Sequence, residues 1–171
     1  MKIYDCFMFF DEEMLLDLRL NIMDQYVDKF VITEANYMHN GSPKKFNFNI
    51  NNFPKFKNKI IYIPIETPPP GLLTLDPNDD HRTKSNKLIK NAYVREIYQI
   101  QKVQDGLIKS DGNDIAIISD LDEIPNLQKI NFNKINNKLI FFIQRMYYYK
   151  LNLFYESMPW YGSKACKVKN L

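Results

Sequence analysis

Three carboxylates fall within four positions where the chain reads "IAIISDLDEIP" (115–125): Asp120, Asp122 and Glu123, with Pro125 closing the stretch. The apolar run before them has the pattern of a buried strand, which puts the acids at its carboxyl end. If the strand extends that far, its pleat points Asp120 and Asp122 the same way. Two such carboxylates repel each other unless a cation sits between them. Mg2+ and Mn2+ both suit oxygen ligands, and magnesium favours few protein carboxylates, completed by water and a substrate phosphate. The chemistry on offer is a divalent cation holding a diphosphate. A solvated acidic turn capping the next element is the competing reading.

Other charged residues fall where they could serve the same crevice. Glu34 ends the apolar run "FVITEA" and could meet a ribose hydroxyl or a base N–H, or simply begin a surface loop. Arg95 and Glu96 lie in the middle of a helical stretch, where local ion pairs on an exposed face are the alternative.

The elements that must position these groups alternate. A first strand and its turn cover 2–10. A helix follows over 11–26, with Asp11 as N-cap and Leu15, Leu18, Ile22 and Tyr26 forming one apolar face. Strands are expected at 29–35, at 59–66, where Pro64 suggests an edge, at 115–119 and within 139–149. Residues 37–46 carry Gly, Ser and Pro and form a loop. Residues 67–83, with four prolines, form the longest irregular stretch, a candidate lid or binding loop. A helix over 85–109 carries Ile89, Tyr93, Ile97, Ile100, Val103 and Leu107 at spacings of three or four. Strands that are continuous apolar runs, alternating with helices, indicate an α/β domain with a mainly parallel sheet covered on both faces. The 171 residues read as one such domain. Ligands of open parallel sheets bind beyond the carboxyl ends of the strands, where the acids lie.

Composition excludes several classes. A net charge of +3 with no basic stripe argues against nucleic acid. Two cysteines far apart, Cys6 and Cys166, make no zinc site and read as buried free thiols. No run approaches a membrane span and the N-terminus is a poor signal peptide, so a cytoplasmic protein is expected.

Several stretches, in order, resemble glycosyltransferase family 17. They are "IYDCFMFFDEEMLLDLRLNIMD", "VDKFVITEANYMHNGSPKKFNF", "VREIYQIQKVQDGL", "IISDLDEIP" and "WYGSKACKVKNL". They look like the family's opening helix with Arg-Leu, its Gly-x-Pro-Lys loop, its Arg-Glu-x-x-Gln helix, its Asp-x-Asp segment and its Trp-x-Gly stretch. The resemblance implies a GT-A-like fold with a nucleotide-sugar-binding sheet. It implies UDP-N-acetylglucosamine as donor, Mn2+ or Mg2+ as cofactor, a glycan or glycoconjugate acceptor, and inversion at the anomeric carbon. Asp122 is then the expected direct metal ligand. Asp120 contacts the ribose or binds the metal through water. Glu34, Arg95, Glu96 and Lys44 serve the donor side, and Lys45 lies in the same loop as Lys44.

The resemblance also has gaps. Ile100 stands where the family's helix often carries a second basic residue, and the family normally continues past the Trp-x-Gly stretch. The acceptor-side segment is therefore expected to be missing. A non-catalytic nucleotide-sugar-binding remnant is the alternative function. The general base is not evident; Glu123 and Glu156 are its candidates. Trp160 and Tyr147–Tyr149 offer faces for a sugar, or core packing.

Overall fold

Four of the apolar runs become β1 (Ile3–Met8), β2 (Lys29–Ala35), β3 (Ile60–Ile65) and β4 (Ile115–Ile118) in the computed structural model, which describes residues 1–134, 139–150 and 152–171. They pair in parallel. Two antiparallel strands, β5 (Ile140–Phe141) and β6 (Lys164–Lys167), extend the sheet to the order β3-β2-β1-β4-β6-β5. The fold is thus α/β with a mainly parallel sheet, and β3 with its Pro64 is an edge strand. The strand expected within 139–149 shortens to β5, followed by isolated bridges Gln144–Trp160 and Tyr147–Phe154. β6 had no counterpart in the sequence reading: "KACK" is four residues with lysine at both ends, too short to show a period.

Alternation along the strands divides the core in two. On one face α1 (Glu13–Met23) packs Leu16, Leu20 and Met23 against Phe7, Phe30, Ile32 and Ile117. On the other, α3 (Val103–Gly106) and the residue after it bring Val103 and Leu107 against Tyr4, Cys6, Val31 and Ala116. Cys6 and Cys166 are buried free thiols, as expected. Among the described residues no helix is long and apolar enough to cross a membrane.

Both long helices depart from their expected faces. The buried side of α1 is Leu16, Arg19, Leu20 and Met23, whereas Leu18 and Ile22 are 51% and 41% exposed. An arginine interrupts the true apolar stripe, and its charge hid the pattern. The N-cap position belongs to Glu12 rather than Asp11, and no side chain caps the helix. The second helix, α2 (His81–Gln101), begins four residues before Ser85. The Asp80 carboxylate caps it by accepting the Thr83 N–H at 2.6 Å. Ile89, Tyr93 and Ile97 on it are exposed. Its packed side uses Asn91, whose amide exchanges two hydrogen bonds with the backbone of Leu73 and so ties the proline-rich loop to the helix.

Candidate active site

β4 runs directly into the acidic turn. Its regular pairing stops at Ile118, so the pleat does not set the directions of Asp120 and Asp122. The turn closes on itself instead: the Glu123 N–H donates to the Asp120 carbonyl at 3.1 Å, and the Ile124 N–H to the Asp122 carbonyl at 3.2 Å. Arg19 of α1 then holds three of its carbonyls from beneath.

Arg19 has no exposed surface. Its Nη1 donates to the carbonyls of Asp120 (2.7 Å), Leu121 (3.0 Å) and Glu123 (3.3 Å). Nε and Nη2 fork onto the carboxylate of Asp5 in β1, at 2.9 and 2.7 Å, and Nη2 also reaches the Ser119 hydroxyl at 2.6 Å. The guanidinium lies 4.5 Å from the Phe7 ring centroid. A buried charge persists only when paired and fully bonded, and the planar fork of arginine meets a carboxylate on one edge and carbonyls on another. Asp5, Arg19 and Ser119 therefore fix the turn in space. Asp5 and Arg19 both lie in the opening stretch "IYDCFMFFDEEMLLDLRLNIMD", where the sequence alone assigns them no task. The available signal was an arginine at the core-facing spacing of a helix, paired with an aspartate inside an apolar strand.

Glu123 is buried too; Arg19 bonds its carbonyl, while its carboxylate has other partners. One carboxylate oxygen, Oε2, accepts the Asp120 N–H at 3.1 Å; the other, Oε1, accepts the indole N–H of Trp160. A Cβ at Gly162 would overlap this carboxylate, so only glycine lets the backbone come so close. The Ser163 hydroxyl donates to the Glu123 carbonyl at 2.8 Å. The Trp-x-Gly-Ser stretch thus serves the acidic turn, with tryptophan as donor, glycine as space and serine as a second donor.

Glu34 is fully buried at the end of β2, and the protein itself fills its oxygens. Lys44 Nζ, the N–H groups of Asn47 and Phe48, and the Tyr62 hydroxyl all donate to it. Burial first, and then the bond to Glu34, push the Tyr62 hydroxyl well above its ordinary pKa. Glu34 therefore anchors the 36–48 loop that rims the site. Arg95 holds the same loop from α2, donating from Nη1 to the His39 carbonyl at 2.8 Å. Gly41, at φ +89°, turns beside it where a Cβ would overlap the guanidinium.

Two clefts open at the carboxyl ends of the parallel strands. The smaller, about 410 Å3, lies where β1 separates β2 from β4, a switch point of the sheet. Asp120, Asp122, Glu96, Lys44, Tyr37 and Phe10 are among its walls. The Tyr37 hydroxyl is buried there with no hydrogen-bond partner among the described residues. The larger cleft, about 720 Å3, lies on the β6 side, and Trp160, Tyr161, Met158, Ile100, Asp120, Glu123 and Glu96 are among its walls. Glu156 is exposed and lines neither cleft, and neither does any residue of the 67–80 loop.

Asp120 stands where the two clefts meet. Asp120 is exposed at the surface, yet partial burial of its carboxyl raises its pKa above the ordinary aspartate value, and the negative charges of Glu123, Asp122 and Glu96 raise it further, against the pull of Arg19. Among the described residues no three His, Cys, Asp or Glu side chains form a closed metal cage. The arrangement is instead an open carboxylate edge rich in hard oxygen donors. That fits Mg2+ or Mn2+ bound by one or two carboxylates and completed by a phosphate ligand.

An open, mainly parallel sheet with an acidic turn and a cleft at its switch point defines an α/β domain, consistent with a GT-A-like fold. The glycosyltransferase family 17 model matches residues 1–169, and the chain belongs to that family. It is similar to the β-1,4-mannosyl-glycoprotein 4-β-N-acetylglucosaminyltransferases of Homo sapiens and Rattus norvegicus. Each is 29% identical over 128 residues, which is 71% of this chain and 21% of the relative. The chain thus spans about a fifth of the length of these curated relatives. No solved structure matches it at a significant level.

Proposed function

We propose that this protein is a metal-dependent, inverting glycosyltransferase that transfers a sugar from a nucleoside diphosphate donor to a glycan or glycoconjugate. The observation that carries this reading is the Arg19-held turn, which sets Asp120 and Asp122 at the edge of a cleft of about 410 Å3 at the sheet's switch point. UDP-N-acetylglucosamine is the proposed donor, in keeping with the names of the similar human and rat enzymes.

Asp122, exposed on the turn, would bind Mn2+ or Mg2+ directly, and Asp120 would do so directly or through water. Bound there, the cation would stabilise the charge of the departing diphosphate as a Lewis acid. The chain's own residues do the rest. The unpartnered Tyr37 hydroxyl offers a hydrogen bond to the base or ribose. Lys44, held over the Phe10 ring and against Glu34, brings positive charge to the same cleft. Glu34 and Arg95 act on the donor through the loop they hold. Glu123 has both oxygens engaged, which suits it to keep Asp120 in place.

Calorimetric titration of UDP and UDP-N-acetylglucosamine, with and without Mn2+, tests the reading on the wild type and on Asp122→Ala. The expected result is metal-dependent binding that the substitution abolishes. Absence of binding by a folded wild-type chain would overturn it.

A further inference from the structure

Among the described residues the two clefts share only Glu96 and Asp120. We propose that the larger cleft is the binding site for the acceptor saccharide, and that Glu96, at the seam, receives the proton of the attacking hydroxyl. The inference rests on reading the smaller cleft as the donor site.

The argument begins with what the walls can hold. Ile100, Met158, Trp160 and Tyr161 are apolar or aromatic, while Asp120 has Glu123 and Glu96 as charged neighbours, and Lys164 also lines the cleft. A lipid chain has no use for three carboxylates, and a nucleic acid is repelled by them. A saccharide has apolar C–H faces for aromatic rings and hydroxyl donors for carboxylates. The volume falls within the roughly 300–1,000 Å3 of ligand pockets. The platform is also built in advance. The Trp160 indole N–H is bonded to Glu123, and its backbone exchanges hydrogen bonds with Gln144 at 2.8 and 3.3 Å. A ring held in this way loses little freedom when a ligand meets it.

Position then selects the carboxylate. On the donor reading, the diphosphate is held at Asp120 and Asp122, and the reacting carbon has to lie where the donor cleft meets the larger one, at the wall shared by Asp120 and Glu96. The acceptor hydroxyl must approach from the larger cleft. Glu123 is engaged on both oxygens, and Asp120 and Asp122 are assigned to the cation. Glu96 is half-buried and, among the described residues, its side chain makes no hydrogen bond or ion pair. In the transfer the hydroxyl oxygen bonds to the anomeric carbon. The bond from that carbon to the diphosphate oxygen breaks, and its electron pair leaves with the diphosphate. The hydroxyl proton passes to the Glu96 carboxylate and from there to solvent.

Trp160 is the single tryptophan of the chain, so its fluorescence reports on this cleft alone. Mannose- and N-acetylglucosamine-containing oligosaccharides are titrated in the presence of UDP and Mn2+, with UDP binding measured by calorimetry on the same samples. A saturable fluorescence change is expected, weakened at least about ten-fold by substituting the exposed rim residue, Tyr161→Ala. No change with any saccharide, or an unaltered titration in Tyr161→Ala, would overturn the cleft. With the best-binding saccharide, and with UDP-N-acetylglucosamine and Mn2+ at saturating concentration so that any change in donor affinity does not enter, Glu96→Gln should release UDP at least about 100-fold more slowly. An unchanged rate would overturn the role of Glu96. Saccharide binding without UDP binding would leave the larger cleft assigned and overturn the donor reading, and Glu96 with it.

Discussion

Arg19 bears more of the site's geometry than any residue that faces a cleft. It holds three carbonyls of the acidic turn and the Asp5 carboxylate, all without solvent. Arg19→Met fills the space but leaves Asp5 charged, buried and unpaired. Removing one partner of such a pair costs about 3–5 kcal/mol, and urea denaturation should read a loss of that size. Arg19→Lys keeps the charge but loses the fork, so it should recover part of the stability and little of the UDP binding. Asp120 behaves oppositely. Its folded pKa is raised, so the folded state keeps the proton to a higher pH than the unfolded chain does. Stability is therefore lost as pH rises from the ordinary carboxylate range through the raised value. In chelator, Asp120→Asn should melt higher than wild type at neutral pH. The difference should vanish below about pH 3.9, where both states of the wild type are protonated. A function-bearing residue thus costs stability, and Mn2+ with UDP should reverse the ranking.

At the level of elements, the face of α1 decides what the sequence could and could not reveal. Leu16 is wholly buried and Leu18 half-exposed, so Leu16→Ala should cost about 2–5 kcal/mol in urea denaturation and Leu18→Ala under about 0.5. The stripe through Leu15, Leu18 and Ile22 implies the reverse ranking. The sheet was legible because β1 to β4 are continuous apolar runs, and the acidic turn because three carboxylates crowd a strand end. What escaped was held by polar groups that pair only in three dimensions: Asp5 with Arg19, Glu34 with Lys44 and Tyr62, and Glu123 with Trp160. None of these pairs has a sequence period. The Trp-x-Gly stretch was recognised as a pattern, but its work on Glu123 becomes visible only when β6 folds back beside β4. Gly162→Ala tests that work. Its methyl must displace the Glu123 carboxylate, releasing both the Asp120 N–H and the Trp160 indole. The expected result is a loss of about 2 kcal/mol in stability and at least about ten-fold in UDP affinity with Mn2+.

For the molecule as a whole, the open carboxylate edge predicts that cation and nucleotide stabilise the fold together. Asp120 and Asp122 offer too few ligands to hold Mn2+ firmly alone, and a diphosphate entering a cleft beside four carboxylates is repelled without it. Mn2+ or UDP added singly should therefore leave the melting temperature nearly unchanged. Added together at about 100 times their dissociation constant, they should stabilise the native state by about 2.7 kcal/mol. For a chain of this length that is about 5–10 °C in melting temperature. The increment should disappear in Asp122→Ala, which leaves the buried Arg19 network untouched and should melt like the unliganded wild type. A full shift with UDP alone, or a shift retained in Asp122→Ala, would mean that the diphosphate is held by the chain's own donors, Lys44 and the 36–48 loop. The acidic turn would then have to be read as a structural clasp between α1 and β6.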